Sequence, residues 1–200
     1  MPSRSSDPVA DALERAAALI VDDIHMLAAA NPVVLIDGRS GAGKTTLARM
    51  LVERWPIAGR VQLVALDSIY PGWDGLRDGV ERALDGILRP HGRGYLGEWR
   101  RWDWGSGSEA EIHAVDPALG VLIEGSGILT PATAAIADVR VWVESAEAGR
   151  KARALARDGD TYRPHWDRWA QQESDHIVRD DPRALATRAV SYTHLRAHET

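Results

Sequence analysis

Four short apolar runs, at 33–36, 61–66, 121–123 and 139–143, have the length and content of buried strands. Around them, apolar positions recur at helical spacing. Val9, Leu13, Ala16, Ala17, Ile20 and Ile24 mark one face of a first helix. Asp7 is placed to cap it, Pro8 suits its first turn, and Asn31-Pro32 stops it. Further helices are predicted from about 44 to 54, over 76–88 despite Gly79 and Gly86, over 146–157 up to a break at Asp158-Gly159, and from 164 to about 179. Residues 89–108, rich in Gly, Arg and Trp, read as irregular. Strands alternating with helices predict an α/β fold with a central parallel sheet and helices on both faces. No repeat or linker marks a second core, so the chain divides into an N-terminal helix (1–31), one domain (32–189) and a tail (190–200).

Composition narrows the classes of function. A net charge of -5 argues against nucleic acid as an obligate partner, because phosphate-backbone binding needs a basic face. With no cysteine in the chain, disulfides and thiolate metal sites are excluded. Charged residues interrupt the alanine-rich start, and no run approaches transmembrane length, so a soluble cytoplasmic protein with no membrane partner is expected. His91, His113, His165 and His176 are scattered without metal-ligand spacing and read as core or surface residues. Lysine is scarce: only Lys44 and Lys151 occur, and the other basic residues are arginine.

Lys44 lies in the most informative segment, Gly38-Arg39-Ser40-Gly41-Ala42-Gly43-Lys44-Thr45, which fits G-x-x-x-x-G-K-[ST] without a mismatch. Glycines let the backbone curl so that several N–H groups face one concavity suited to phosphate oxygens. The helix that follows turns its positive end toward the same anion. Lysine reaches the β- and γ-phosphates, and the Thr45 hydroxyl suits Mg²⁺. ATP and Mg²⁺ are therefore the expected cofactors, with residues 38–46, Thr46 included, as the nucleotide loop. Glu124 ends the third strand, where such proteins hold Mg²⁺ or its water shell; the longer side chain favours contact through water. Asp67 ends the second strand and faces the same crevice, since ligands of open parallel sheets sit at the carboxyl ends of strands. A carboxylate there suits the role of proton acceptor for an attacking hydroxyl, or equally that of a turn residue, and Asp74 is a rival.

Gly38 to Thr46, Leu66-Asp67-Ser68-Ile69-Tyr70 and Val121-Leu122-Ile123-Glu124-Gly125 resemble, in order and spacing, the core segments of uridine kinase-like P-loop kinases. The resemblance covers roughly residues 32–189. It implies the three-layer sandwich of P-loop NTPases and phosphorylation of a hydroxyl on a small molecule such as a nucleoside. It also implies Asp67 as base and Tyr70 beside the substrate. Such kinases use a lid arginine on the transferred phosphoryl group, and Arg150, Arg153 and Arg157 share one helix face at i, i+3, i+7, with Arg153 and Arg157 the better placed. Trp99, Arg101 and Trp102 lie in a Trp- and Arg-rich stretch that suits a substrate-stacking wall or plain packing equally. A P-loop ATPase or a nucleotide-binding regulatory protein without a small acceptor is the alternative; no N-K-x-D guanine-reading motif is present.

Val190 to Thr200 resembles the translation of a transposase adapter used in sequencing libraries, so His194 and His198 carry no functional weight. The kinase resemblance implies one more core strand after the last helix. None is readable before residue 190, so the native chain is expected to continue beyond Ala189.

Overall fold

The structure is a computed structural model and describes residues 8–192, the side chain of Asp158 excepted. In chain order its elements are α1 (Pro8–His25), β1 (Val33–Asp37), α2 (Lys44–Glu53), β2 (Gln62–Ala65), α3 (Leu76–Ala83), α4 (Arg89–Gly92), β3 (Gly97–Asp103), β4 (Ser108–Val115), β5 (Val121–Glu124), α5 (Pro131–Ala134), β6 (Val139–Glu144), α6 (Glu147–Tyr162), α7 (Trp166–Asp180), α8 (Pro182–Leu185) and β7 (Arg188–Ser191). The capping residue proposed for α1, Asp7, lies outside the described residues.

Five strands form one parallel sheet in the order β2-β5-β1-β6-β7. All five residues of β1 are buried, as a central strand with both faces covered requires. Alternate side chains divide between the two faces. Val33 and Leu35 of β1, with Val121 and Ile123 of β5, pack under α3 and α7. Val34 and Ile36, with Leu122 and the three valines of β6, pack under α1 and α2. The result is three layers, with α1 an integral part of one of them.

Two segments depart from the expectations. Residues 89–108 are ordered: α3 runs on through a π turn at Leu84–Leu88 into α4, and β3 and β4 form an antiparallel hairpin. A bulge between Arg100 and Trp102 breaks the period-two alternation that would have marked β3 as a strand. The hairpin also explains Gly86, where a Cβ would lie 2.4 Å from the Glu98 carbonyl oxygen of β3. The other departure is β7. The core strand expected beyond Ala189 is present at Arg188–Ser191, paired in parallel with β6 from Val141↔Arg188 to Glu144↔Ser191. Val190 and Tyr192 are buried, although both fall in the adapter-like segment set aside above. The rest of that segment, 193–200 with His194 and His198, lies outside the described residues.

Candidate active site

The loop between β1 and α2 is built as its sequence predicts. Gly41 has φ 77° and Gly43 φ 99°, both in the left-handed region that side chains disfavour. A Cβ on Gly41 would lie 2.1 Å from the Arg150 carbonyl oxygen, so α6 rests directly on the loop. The loop's carbonyls are held by side-chain donors. Lys44 Nζ donates to Gly38 O at 2.7 Å and to Arg39 O at 3.2 Å. Arg150 donates to Ser40 O at 2.9 Å, Arg153 to Gly41 O at 2.9 Å, and the Tyr192 hydroxyl to Ala42 O. The amides of Gly41, Gly43, Lys44 and Thr45 have no acceptor among the described residues. This arrangement leaves an anion-shaped concavity at the start of α2. Thr46 is exposed in the first turn of the same helix.

Register brings the carboxylates together, since Glu124 pairs with Ile36 on one side and Ala65 on the other. Thr45 Oγ1 donates to Glu124 Oε1 at 2.9 Å. Burial pushes the Glu124 carboxyl above its usual range, an effect that Lys44 opposes and Asp67 reinforces. A buried carboxylate beside a hydroxyl fits a hard cation bound by oxygen. No cluster of three or more His, Asp or Glu residues suited to a metal occurs among the described residues. Two protein oxygens beside a phosphate cradle still match the way Mg²⁺ is held with nucleotides.

Asp67 sits in a single 3-10 turn after β2 (Leu66–Ser68). Its backbone carbonyl accepts from Trp104 Nε1 at 2.7 Å, and its carboxylate lies 4.0 Å from Arg157 Nη2. It lines a cavity of about 540 Å³ that also reaches Ser40 of the glycine-rich loop. Aromatic rings form the walls. Trp73 stacks on His165 at 4.3 Å and on Tyr162 at 5.4 Å, and meets Trp104 at 4.8 Å. Tyr70 packs edge-on against Trp169 at 4.8 Å. The Tyr70 hydroxyl donates to Ser126 O at 2.7 Å. Burial, then the charges of Asp67, Asp37, Glu124 and Glu173, push Tyr70 well above its ordinary value, so it keeps its proton. Asp74 is outside this cavity and paired with Arg168.

Trp99, Arg101 and Trp102 do not line the cavity. On the hairpin, Trp99 stacks on His113 at 4.5 Å and Arg101 grips Glu111 at 2.7 Å and 3.1 Å, while Trp102 pairs with Glu109 in the strand register. Of that stretch only Trp104, at its end, reaches the site. Sequence reading also missed the support from α7. Glu173 accepts from Ser40 N at 2.7 Å and from Arg39 Nε at 3.2 Å, so Arg39 is turned onto α7. His176 Nε2 lies 2.9 Å from Asp37 Oδ2 and its Nδ1 2.8 Å from Asp180 Oδ2. The only available signal was the helical spacing of Trp169, Glu173 and His176, which an all-apolar core search passes over.

No family model matches the chain, and no curated protein sequence matches it. Solved structures do. One, described as a possible uridine kinase from Bacillus stearothermophilus, superposes with a TM-score of 0.66 at 17% identity, covering 92% of this chain and 99% of that one. Another, provisionally designated a fructose transport system kinase from Silicibacter sp. TM1040, gives 0.57 at 19% identity, covering 88% and 98%. The fold is therefore the three-layer α/β sandwich with a central parallel sheet that these structures share. Among the described residues, no helix is long and apolar enough to cross a membrane.

Proposed function

We propose that this chain is an ATP- and Mg²⁺-dependent kinase that phosphorylates a hydroxyl of a small molecule. One observation carries the reading: a single cavity is lined by both Ser40 of the phosphate loop and Asp67, so an acceptor there lies between phosphate cradle and base. Phosphoryl transfer asks mainly for positioning and charge stabilisation. The amides of Gly41, Gly43, Lys44 and Thr45 and the Lys44 side chain bind the phosphates, with Lys44 exchanging its contacts to Gly38 and Arg39 for phosphate oxygens. Thr45 and Glu124 are the residues that would hold Mg²⁺, which when bound neutralises phosphate charge. Asp67 accepts the proton of the acceptor hydroxyl. Arg157 and Arg153, on the helix that covers the loop, supply positive charge to the transferred group.

The cavity also describes its occupant. Five of its ten lining residues are Trp or Tyr, whose rings favour a flat or apolar body, and the rest are hydroxyl-bearing or charged. Arg157 is the only cation among its lining residues, and it faces Asp67. That composition suits an uncharged alcohol, a nucleoside such as uridine among them, better than an alcohol already carrying phosphate. The test is ADP release with MgATP against a panel of nucleosides, sugars and hydroxy acids. Acceptor-dependent ADP release lost in Asp67→Asn supports the proposal. Nucleotide binding with no acceptor-stimulated turnover across the panel would favour an ATPase or a regulatory nucleotide-binding protein.

A further inference from the structure

Helix α7 presents Trp169, Glu173 and His176 on one buried face. Trp169 lines the aromatic cavity, and its successor on the adjacent face, Gln172, donates to Trp73 O at 2.7 Å. One turn further, Glu173 reaches the phosphate loop. Its side chain is 2% exposed, and its partners are two loop residues, Arg39 and Ser40, and two residues that themselves touch the loop, Ser126 and Arg150. Oε1 accepts from the Ser40 amide at 2.7 Å and from Ser126 Oγ at 2.9 Å. Oε2 accepts from Arg39 Nε at 3.2 Å and lies 4.0 Å from Arg150 Nη1. The Ser126 hydroxyl is in turn 3.0 Å from Gly38 O and 3.4 Å from Lys44 Nζ.

A buried carboxylate beside a phosphate-binding loop opposes anion binding through its charge. Arg39 and Arg150 offset that charge locally. What remains is geometry: Glu173 ties the third residue of the loop directly and the loop's lysine through Ser126. We propose that Glu173 is a positioning residue, which fixes the open shape of the phosphate loop so that the amides of Gly41, Gly43, Lys44 and Thr45 stay available to the nucleotide. The assignment rests on the reading of the loop as a nucleotide site, and it makes α7 the shared support of the acceptor cavity and the nucleotide loop.

The test is ADP·Mg²⁺ affinity by isothermal titration at low temperature for wild type, Glu173→Gln and Glu173→Asp, with near-UV circular dichroism to show that each is folded. Glutamine keeps the reach to the Ser40 amide and loses the charge; aspartate keeps the charge and loses the reach. The expected order of affinity is wild type, then Gln, then Asp, with the Asp variant weaker than wild type by about tenfold or more, as loss of a charge-assisted hydrogen bond predicts. A role in stability alone would lower the melting temperatures and leave the affinity of the folded protein unchanged. Equal affinities overturn the proposal, and so does a Gln variant weaker than the Asp variant, which would assign charge balance instead. If the Asp variant does not fold, Ser126→Ala serves in its place: it cuts the link to Lys44, is expected to weaken ADP at least about threefold, and overturns the proposal if it does not. Wild type that fails to bind ADP refutes the nucleotide site itself and is distinguished at the first titration.

Discussion

Replacing His176 by glutamine is expected to destabilise the fold, and to do so most at acid pH. Both ring nitrogens face carboxylates, Asp37 at 2.9 Å and Asp180 at 2.8 Å, and Arg179 shares Asp180 at 2.6 Å. Burial disfavours the imidazolium, but the hydrogen bonds and charges of Asp37 and Asp180 outweigh it, and the His176 pKa is raised above 6.5. The sign follows from linkage. Below the unfolded value, histidine is protonated in both states and the stabilisation is complete. As pH rises through and beyond 6.5, the unfolded chain releases the proton first, so stability falls until the folded pKa is passed. The slope is at most about 1.4 kcal/mol per pH unit for one proton. Breaking a buried pair by removing one partner costs about 3–5 kcal/mol. Here the loss is smaller, because Asp37 keeps the amides of Gly38, Gly127 and Leu129 and glutamine can still hydrogen-bond. An estimate of about 2–3 kcal/mol converts to roughly 4–12 °C in melting temperature for a chain of this size. Melts of both proteins from acid to alkaline pH check it, since unrelated titrations cancel in the difference. A difference that does not shrink as pH rises, or one within measurement error near pH 6, refutes the reasoning.

Three shorter expectations concern the site. Asp67→Asn should lower kcat by about 10²–10⁴-fold with nucleotide affinity nearly unchanged, whereas Asp74→Asn, outside the cavity, should do much less; steady-state kinetics with an accepted acceptor decide, and the reverse ranking moves the base to Asp74. Lys44→Ala should abolish turnover and weaken ADP binding in calorimetry, because the cradle loses its one lysine. Trp73→Ala removes a ring that stacks on both His165 and Tyr162, so the acceptor KM should rise about tenfold while the KM for ATP stays within about twofold; equal changes in both would make Trp73 a general support.

What the sequence disclosed was local or carried by simple periodicity. The phosphate loop is one contiguous segment whose glycines, lysine and threonine are each demanded by backbone geometry or charge. The convergence of Asp67 and Glu124 follows from the strand ends, because parallel register sets Ala65 beside Glu124 and the 3-10 turn that follows carries Asp67 over the same edge. The α7 contacts had no such signal. Glu173 meets Ser40 across 133 positions, and His176 meets Asp37 across 139. Nothing in spacing tells a buried partnered histidine from a solvated one. The tryptophans misled for a related reason. Trp99 and Trp102 sit in a dense cluster, yet the bulged hairpin turns them to other contacts, while Trp73, isolated in sequence, stands at the centre of the cavity wall. Strand β7 escaped because four residues with a single buried valine carry too little pattern to outweigh the adapter-like text that follows.

The arginines of α6 show how one helical face divides its work. Arg150 and Arg153 reach the loop and Arg157 the adjoining cavity, so the surroundings of the three differ in order. The Arg150 side chain is 4% exposed, bound to Ser40 O and near Glu173, and burial, then Arg39, lower its pKa from the usual arginine value. A guanidinium so enclosed shapes the loop and is poorly placed to follow a moving phosphoryl group. Arg153 caps Gly41 O and reaches Ser145 from an exposed position. Arg157, 53% exposed, reaches across the cavity to Asp67. Exposed ion pairs are weak, at most about 1 kcal/mol, so the Asp67 pairing itself holds the guanidinium only lightly. Two residues beyond it, Gly159 leaves helical geometry at φ 55° and ψ -135°. The helix is thus pinned to the loop at its start and interrupted just past Arg157, the arginine that faces Asp67.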